Sequence, residues 1–164
     1  MTQHIESPVE EISLEGGFYV VEVIRDRGHG PEVIQRVEGH NIVLNSGKKQ
    51  LWRMSSGMST KAWRWFQLGH NSASPSSTDT GVKTAITSSI KTASTLTMSG
   101  RTFQAIVSYP SGGGSLSASN IKEFALNNTL TSASHTSLCR ALVTPVVSNT
   151  TADKLKISYQ VRIA

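Results

Sequence analysis

The sequence predicts an all-β protein, an antiparallel β-sandwich or jelly roll with one short helix and an extended N-terminal arm. Short segments of alternating apolar and polar residues recur along the chain, and no regular strand–helix alternation favours a parallel sheet. The composition agrees, because 37% hydrophobic and 16% charged residues leave room for many Ser and Thr side chains. The clearest strand is the last, residues 154–164, whose apolar face carries Leu155, Ile157, Tyr159, Val161 and Ile163.

The beginning of the chain differs from the rest. Residues 1–16 are interpreted as an arm and residues 17–164 as one β-sandwich domain, with Gly16-Gly17 at the boundary. Of the 16 basic and 11 acidic side chains, four glutamates and no lysine or arginine lie in residues 1–15, so the remainder carries a net charge of +9. A basic body favours an acidic partner. The candidate partner-binding residues of the arm are Ile5, Val9, Glu10, Glu11 and Ile12.

A β-hairpin is predicted over residues 18–44. Its first strand, FYVVEVIRD, places Tyr19, Val21 and Val23 on one face. Residues 27–31 have turn composition, and residues 32–44 return as the second strand.

A short surface helix is predicted at about residues 47–56. Asn45 or Ser46 is expected to cap its first turn, and Gly57 to end it in a left-handed conformation. Apolar residues at helical spacing are Leu51, Trp52 and Met54, with lysine and arginine on the other faces.

Further strands are predicted from alternating patterns, separated by polar loops. They cover residues 61–70, which carry two tryptophans, and residues 101–109, 120–126 and 137–146, with a weaker candidate at residues 85–98. Residues 71–84 form a long polar loop by composition.

The histidines, the cysteine and the glycine-lysine segment give little indication of a catalytic, metal-binding or phosphate-binding site. His29 and His40 could approach one another across the hairpin, but no third metal ligand is evident. Cys139 lies in a strand pattern with Ala141 and Val143, which favours a buried small side chain over a nucleophile. The segment Asn45-Ser46-Gly47-Lys48-Lys49 lacks the second glycine of a phosphate-binding P-loop. We therefore expect no catalytic residue, no metal and no cofactor.

Basic and aromatic residues concentrate after the predicted hairpin, in residues 48–65. The candidate basic/aromatic interface comprises Lys48, Lys49, Arg53 and Arg64, interleaved with Trp52, Trp63 and Trp65. Cations beside aromatic rings are typical of single-strand nucleic-acid binders, so a nucleic-acid-binding module is an alternative, although no nucleic-acid motif is present. A second alternative is a glycan-binding β-sandwich that stacks a sugar on Trp63 or Trp65.

Four segments, taken in order, resemble a known family. They are GHNIVLNSGKKQLWRM, FQLGHNSASPSSTDTGV, IKEFALNN and SLCRALVTPVVSNTTADKLKISYQVRI. The second matches through Leu68-Gly69, Pro75 and Asp79-Thr80. Together they are similar to segments of small virion proteins of tailed bacteriophages, over about residues 17–164.

The resemblance implies a β-sandwich that binds other virion proteins and has no catalytic residue to carry over. The first expectation is a capsid cement or decoration protein on the capsid surface, bound to the major capsid protein and neighbouring virion proteins as a dimer or trimer. The alternative is a tail or fibre-attachment component. Without an evident signal peptide, disulfide pair or membrane span, assembly in the host cytoplasm is expected, with no membrane partner.

Overall fold

The computed structural model describes residues 16–58, 62–111, 120–130, 136–148, 150 and 152–162. The predicted arm lies outside these residues apart from Gly16, so its partner-binding residues stay a prediction. Within the described ranges the chain forms nine strands and one helix: β1 (Gly17–Asp26), β2 (Pro31–Val43), α1 (Asn45–Ser55), β3 (Trp65–Gly69), β4 (Lys91–Thr92), β5 (Thr95–Ser99), β6 (Thr102–Tyr109), β7 (Asn120–Asn127), β8 (Ser137–Ser148) and β9 (Asp153–Arg162). The predicted all-β, antiparallel character is confirmed.

The described strands form one curled sheet in the order β4-β3-β7-β8-β2-β1-β9-β6-β5. Its two end strands belong to one stretch of chain, residues 91–99. Between them, Ala93 N–H donates to Arg64 O and Ser94 N–H donates to Ile106 O, both at 2.7 Å. This stretch therefore connects one end of the sheet to the other and holds the curl.

The core lies inside the curl, where the two halves of the sheet face each other. The ring of Phe124 in β7 meets Tyr19 of β1 edge-on, with centroids 5.3 Å apart, and Tyr159 of β9 at 6.4 Å. The Tyr19 hydroxyl also donates to the backbone oxygen of Leu142 in β8. Each aromatic pair contributes about 0.5–1.5 kcal/mol beyond its buried area. These contacts fix the two halves against one another.

The predicted faces of the strongest strands are confirmed. Tyr19, Val21 and Val23 are buried on the inner face of β1, which forms the predicted hairpin with β2. In β9 the alternating apolar residues from Leu155 to Val161 are buried. Strict alternation predicted these faces well because one side of each strand meets the core.

The predicted strand over residues 61–70 is shorter in the structure. β3 covers only Trp65–Gly69, and Trp63 precedes it. Its residues 66–69 are all buried, and residues 84–89 lie along its backbone edge: Ile86 N–H donates to Leu68 O at 2.9 Å, and the Ser89 hydroxyl bonds the backbone of Leu68. The weak strand at residues 85–98 becomes the short strands β4 and β5.

The helix is confirmed, but its predicted capping is wrong. Asn45 and Ser46 lie inside α1, and Leu44 occupies the N-cap position without a side-chain cap bond. The Ser46 hydroxyl instead donates to Ser137 O at 3.0 Å. Gly57 follows the helix with φ +72°, as predicted. In the described part of the chain no helix is long and apolar enough to span a membrane.

Candidate functional site

The predicted basic interface is centred on the outer side of α1. Lys48, Lys49 and Arg53 are exposed there, with Lys49 and Arg53 one turn apart. Arg64 is also exposed and lies just before β3. Arg53 in the last turn interacts favourably with the helix dipole. The four cations are therefore available to an acidic partner.

The tryptophans do not form the predicted platform between these cations. Trp63 is buried, Trp65 is half-buried, and Trp52 is 56% exposed. Of the three apolar residues at helical spacing in α1, Leu51 and Met54 pack against the core, whereas Trp52 does not. The helix thus presents one indole outward beside its cations, and Trp63 offers no open face for stacking a sugar or a base.

Gly47 sets how closely α1 lies on the sheet. A Cβ atom at this position would lie 2.7 Å from both Cα and O of Leu138 in β8. The neighbouring Leu44 N–H donates to Leu138 O at 2.9 Å. Gly47 lies within the helix and permits a close backbone contact.

An apolar groove of about 320 Å³ lies between α1 and the β5–β6 hairpin. It is lined by Leu51 and Met54 of α1, Leu96 and Met98 of β5, Phe103 of β6 and Val161 of β9. Leu96 is 40% and Met98 60% exposed, so this apolar surface is partly open to solvent. Open apolar surface of this kind is typical of interaction sites. The groove was not predictable from sequence, because its residues come from five elements, α1, β5, β6, β8 and β9, and from residues 62–63.

Next to α1, a buried ion network fastens residues 70–84 to the outer face of the sheet. Its centre is the Arg140 guanidinium of β8, which is fully buried. Arg140 Nε donates to Glu123 Oε2 at 2.6 Å, and Nη1 donates to Asp79 Oδ2 at 2.9 Å. Nη2 donates to the backbone oxygen of Ala73 at 2.9 Å. Each of the three guanidinium nitrogens thus donates a hydrogen bond.

Glu123 of β7 holds the loop by its backbone. Its Oε1 accepts N–H groups from Asn71 at 3.2 Å, and from Lys83 and Thr84 at 3.1 Å. A Cβ atom at Gly69 would collide with this carboxylate and lie 2.7 Å from Thr84 O. The glycine is therefore required by the buried carboxylate and the loop backbone that it binds.

Asp79 completes the network at its outer side. Burial acts to raise the pKa of Asp79, but a hydrogen bond from Ser76 N–H and contacts with Arg140 and Lys83 outweigh it, so the pKa is lowered. Lys83 Nζ lies 3.4 Å from Asp79 Oδ1. Two carboxylates and two cations therefore balance one another in the folded chain.

Glu123 and Arg140 were not predicted as functional residues. The sequence signal was a charged residue inside an apolar strand, in EFAL and in LCRALV. With 0% exposure, neither side chain can touch a dissolved partner. Their contacts anchor a loop, and the geometry indicates a scaffold role for both.

A second ion pair joins β1 to β9. Arg25 Nε donates to Asp153 Oδ1 at 2.7 Å, and the Thr150 hydroxyl donates to Asp153 Oδ2 at 2.6 Å. The hydrogen bond from Arg25 lowers the pKa of Asp153 to about 2, against the effect of burial. This carboxylate stays charged through the ordinary range of pH.

The other candidate residues do not come together. His40 pairs with Phe18, whereas His29 lies in the turn at the opposite end of the hairpin, so the expected proximity is wrong. In the described residues no group of three His, Cys, Asp or Glu side chains has metal-binding geometry. Cys139 is fully buried beside Ala141 and Val143, as predicted, and burial raises the pKa of its thiol to about 12.

Comparisons of the chain with protein-family models, curated proteins and solved structures find no match.

Proposed function

We propose that this chain is a bacteriophage capsid cement or decoration protein, a non-enzymatic β-sandwich of jelly-roll type that binds the assembled shell and stabilises it. Its partners in this proposal are the major capsid protein and neighbouring copies of itself in a dimer or trimer. The protein is located on the capsid surface, after assembly in the host cytoplasm.

One observation carries the proposal: three of the four resembling segments supply the buried ion network. Gly69 and Asp79 come from the second segment, Glu123 from the third and Arg140 from the fourth. Residues within these resembling segments thus serve to fasten a loop to the sheet. This use supports a rigid binding scaffold, because the shared residues stabilise the fold and leave the surface free to recognise a partner.

The surface that we assign to the shell is the outer side of α1. Lys48, Lys49 and Arg53 are exposed there beside Trp52, an arrangement suited to an acidic protein surface with an apolar contact. The arm, with Ile5, Val9 and Ile12 between glutamates, is proposed to clasp an adjacent subunit on the particle.

Copy number in purified virions tests the proposal. Virions of the phage that encodes this chain are purified, and the chain is quantified against the major capsid protein by mass spectrometry. Hundreds of copies per particle are expected for a cement protein. A few or a dozen copies would indicate the tail or fibre-attachment alternative, and absence from virions would refute both.

Charge reversal tests the assigned surface. Lys49→Glu with Arg53→Glu is expected to lower capsid occupancy at least tenfold, because two attractive contacts become repulsive. The matched control is Arg27→Glu with Lys154→Glu, which changes the charge equally at two exposed cations near the opposite end of the β1–β2 hairpin. Equal capsid occupancy for both variants would show that the outer side of α1 is not the surface that contacts the capsid.

A further inference from the structure

The apolar groove lies where the described chain begins. Phe18 pairs with Gln160 in the β1–β9 ladder, so Gly17 lies beside Val161, a groove residue. Val161 in turn pairs with Phe103 of β6, and Leu138 at the start of β8 completes this end of the sheet. The described chain therefore begins at the edge of the groove.

We propose that the groove binds the N-terminal segment of the same chain, residues 1–15. The proposal rests on the groove and on the chain that leads to it, and not on the virion role. Exchange of this segment between neighbouring copies on a particle would be the clasp described above, and only that extension rests on the proposed function.

The segment has the residues that this site requires. In residues 11–15, EISLE, Ile12 and Leu14 alternate with Glu11, Ser13 and Glu15. An extended backbone places the two apolar side chains on one face and the two glutamates on the other. The apolar face matches the groove lining, and the glutamates match a body of net charge +9.

The groove also offers hydrogen-bond partners to an extended segment. β5 is the last strand of the described sheet, so its outer edge is open to a further strand. The indole N–H of Trp63, which lines the groove, is buried without an acceptor among the described residues. A buried donor without a partner is costly, and an incoming backbone brings carbonyl acceptors.

The reach of the segment is sufficient. Three strand spacings separate β1 from β5, which is roughly 14 Å along the sheet. The five residues from Gly17 back to Ile12 span roughly 17 Å when extended. Ile12 can therefore contact Met98. Because the segment is tethered at the site, its effective concentration is about millimolar, which favours binding within one chain over binding between chains at micromolar concentration.

Disulfide trapping in the full-length chain tests the proposal. Ile12→Cys is combined with Met98→Cys, and the rate of crosslinking under mild oxidation is measured by non-reducing electrophoresis and peptide mass spectrometry. We expect an intrachain disulfide that forms at least tenfold faster than in the control pair Ile12→Cys with His29→Cys, because His29 lies in the far turn of the hairpin. The native Cys139 does not interfere, since it is buried and its thiol pKa is about 12.

One further variant makes the result decisive. Adding Leu14→Asp to the Ile12–Met98 pair is expected to slow trapping at least fivefold, with the thermal midpoint and far-UV spectrum unchanged. A trapping rate no faster than the control, or no effect of Leu14→Asp, would overturn the proposal. A crosslinked dimer as the main product at micromolar protein would overturn its intrachain form.

Discussion

Arg140 and Leu138 lie two residues apart in β8, on either side of Cys139 where the β7–β8 register shifts, and they belong to regions of opposite character. Arg140 is enclosed by Glu123, Asp79 and residues 70–84, and its three nitrogens are all hydrogen-bonded. Leu138 supports α1 through the contact at Gly47 and lines a groove whose other wall, at Met98, is open to solvent. One strand therefore carries a closed polar region beside an open apolar one.

The Arg140 region stabilises the fold, whereas the apolar groove is a surface that a partner could cover. A buried charge is tolerated only when fully paired, so the Arg140 region has little freedom to change. Exposed apolar side chains contribute little to the folded chain alone and gain when something covers them. Substitutions in the first region should thus affect stability, and those in the second should affect binding.

The largest loss is expected for Arg140→Met. Removal of the guanidinium leaves the Glu123 carboxylate buried without its cation, which should lower the free energy of unfolding by about 3–5 kcal/mol. Urea denaturation measures this change. Adding Glu123→Gln should recover at least about 1 kcal/mol, because the amide oxygen still accepts the loop N–H groups without carrying a charge. A single-variant loss below about 1 kcal/mol would show that the network does not hold the loop.

A paired glycine experiment compares the two regions directly. Gly69→Ala places a methyl group against the Glu123 carboxylate and Thr84 O, and should cost about 2–3 kcal/mol. Gly47→Ala meets the Leu138 backbone, but alanine regains about 1 kcal/mol of helix propensity, so the net loss should be smaller, about 1 kcal/mol. Both are measured by urea denaturation, with Lys48→Ala as an exposed helix control that should change stability by less than about 0.5 kcal/mol. A larger loss of stability for Gly47→Ala than for Gly69→Ala would contradict the expectation that the ion-network region is the less tolerant of the two.

The Arg25–Asp153 pair gives a smaller effect that depends on pH. The pKa of Asp153 is about 2 in the folded chain and near 3.8 without its partners, so the folded state favours the charged form. Its contribution, about 1–2 kcal/mol, is therefore present above pH 4 and is lost as the pH falls from 4 towards 2. Asp153→Asn should be less stable than the native chain at pH 7, and the difference should shrink at pH 2. A difference that stays constant between pH 7 and pH 2 would contradict this assignment.

The residues that were predictable from sequence are those whose environment is set by their own element. Tyr19 and Tyr159 were placed correctly because strict alternation in an antiparallel sheet defines a buried face. Helix α1 was found from spacing, yet Ser46 was wrongly taken as its cap, because the hydroxyl binds β8, which is distant in sequence. Arg140 was missed for the same reason, since its partners lie up to 67 residues away. Local pattern gives the strands, whereas the ion network and the groove depend on which strands become neighbours.

Met98→Lys should have the smallest effect on the free energy of unfolding. A small effect would distinguish the open groove from the buried Arg140 region. Met98 is 60% exposed at the groove, so a lysine there keeps its stem against the apolar wall and its ammonium in water. The free energy of unfolding in urea should change by less than about 0.5 kcal/mol, with Met98→Leu as the isosteric control. A loss above about 1 kcal/mol would make the groove part of the core instead of an open site. If stability holds while Met98→Lys in the full chain raises the rate of glutamate-specific proteolysis at Glu10, Glu11 and Glu15, the side chain contributes to binding the N-terminal segment and not to the fold.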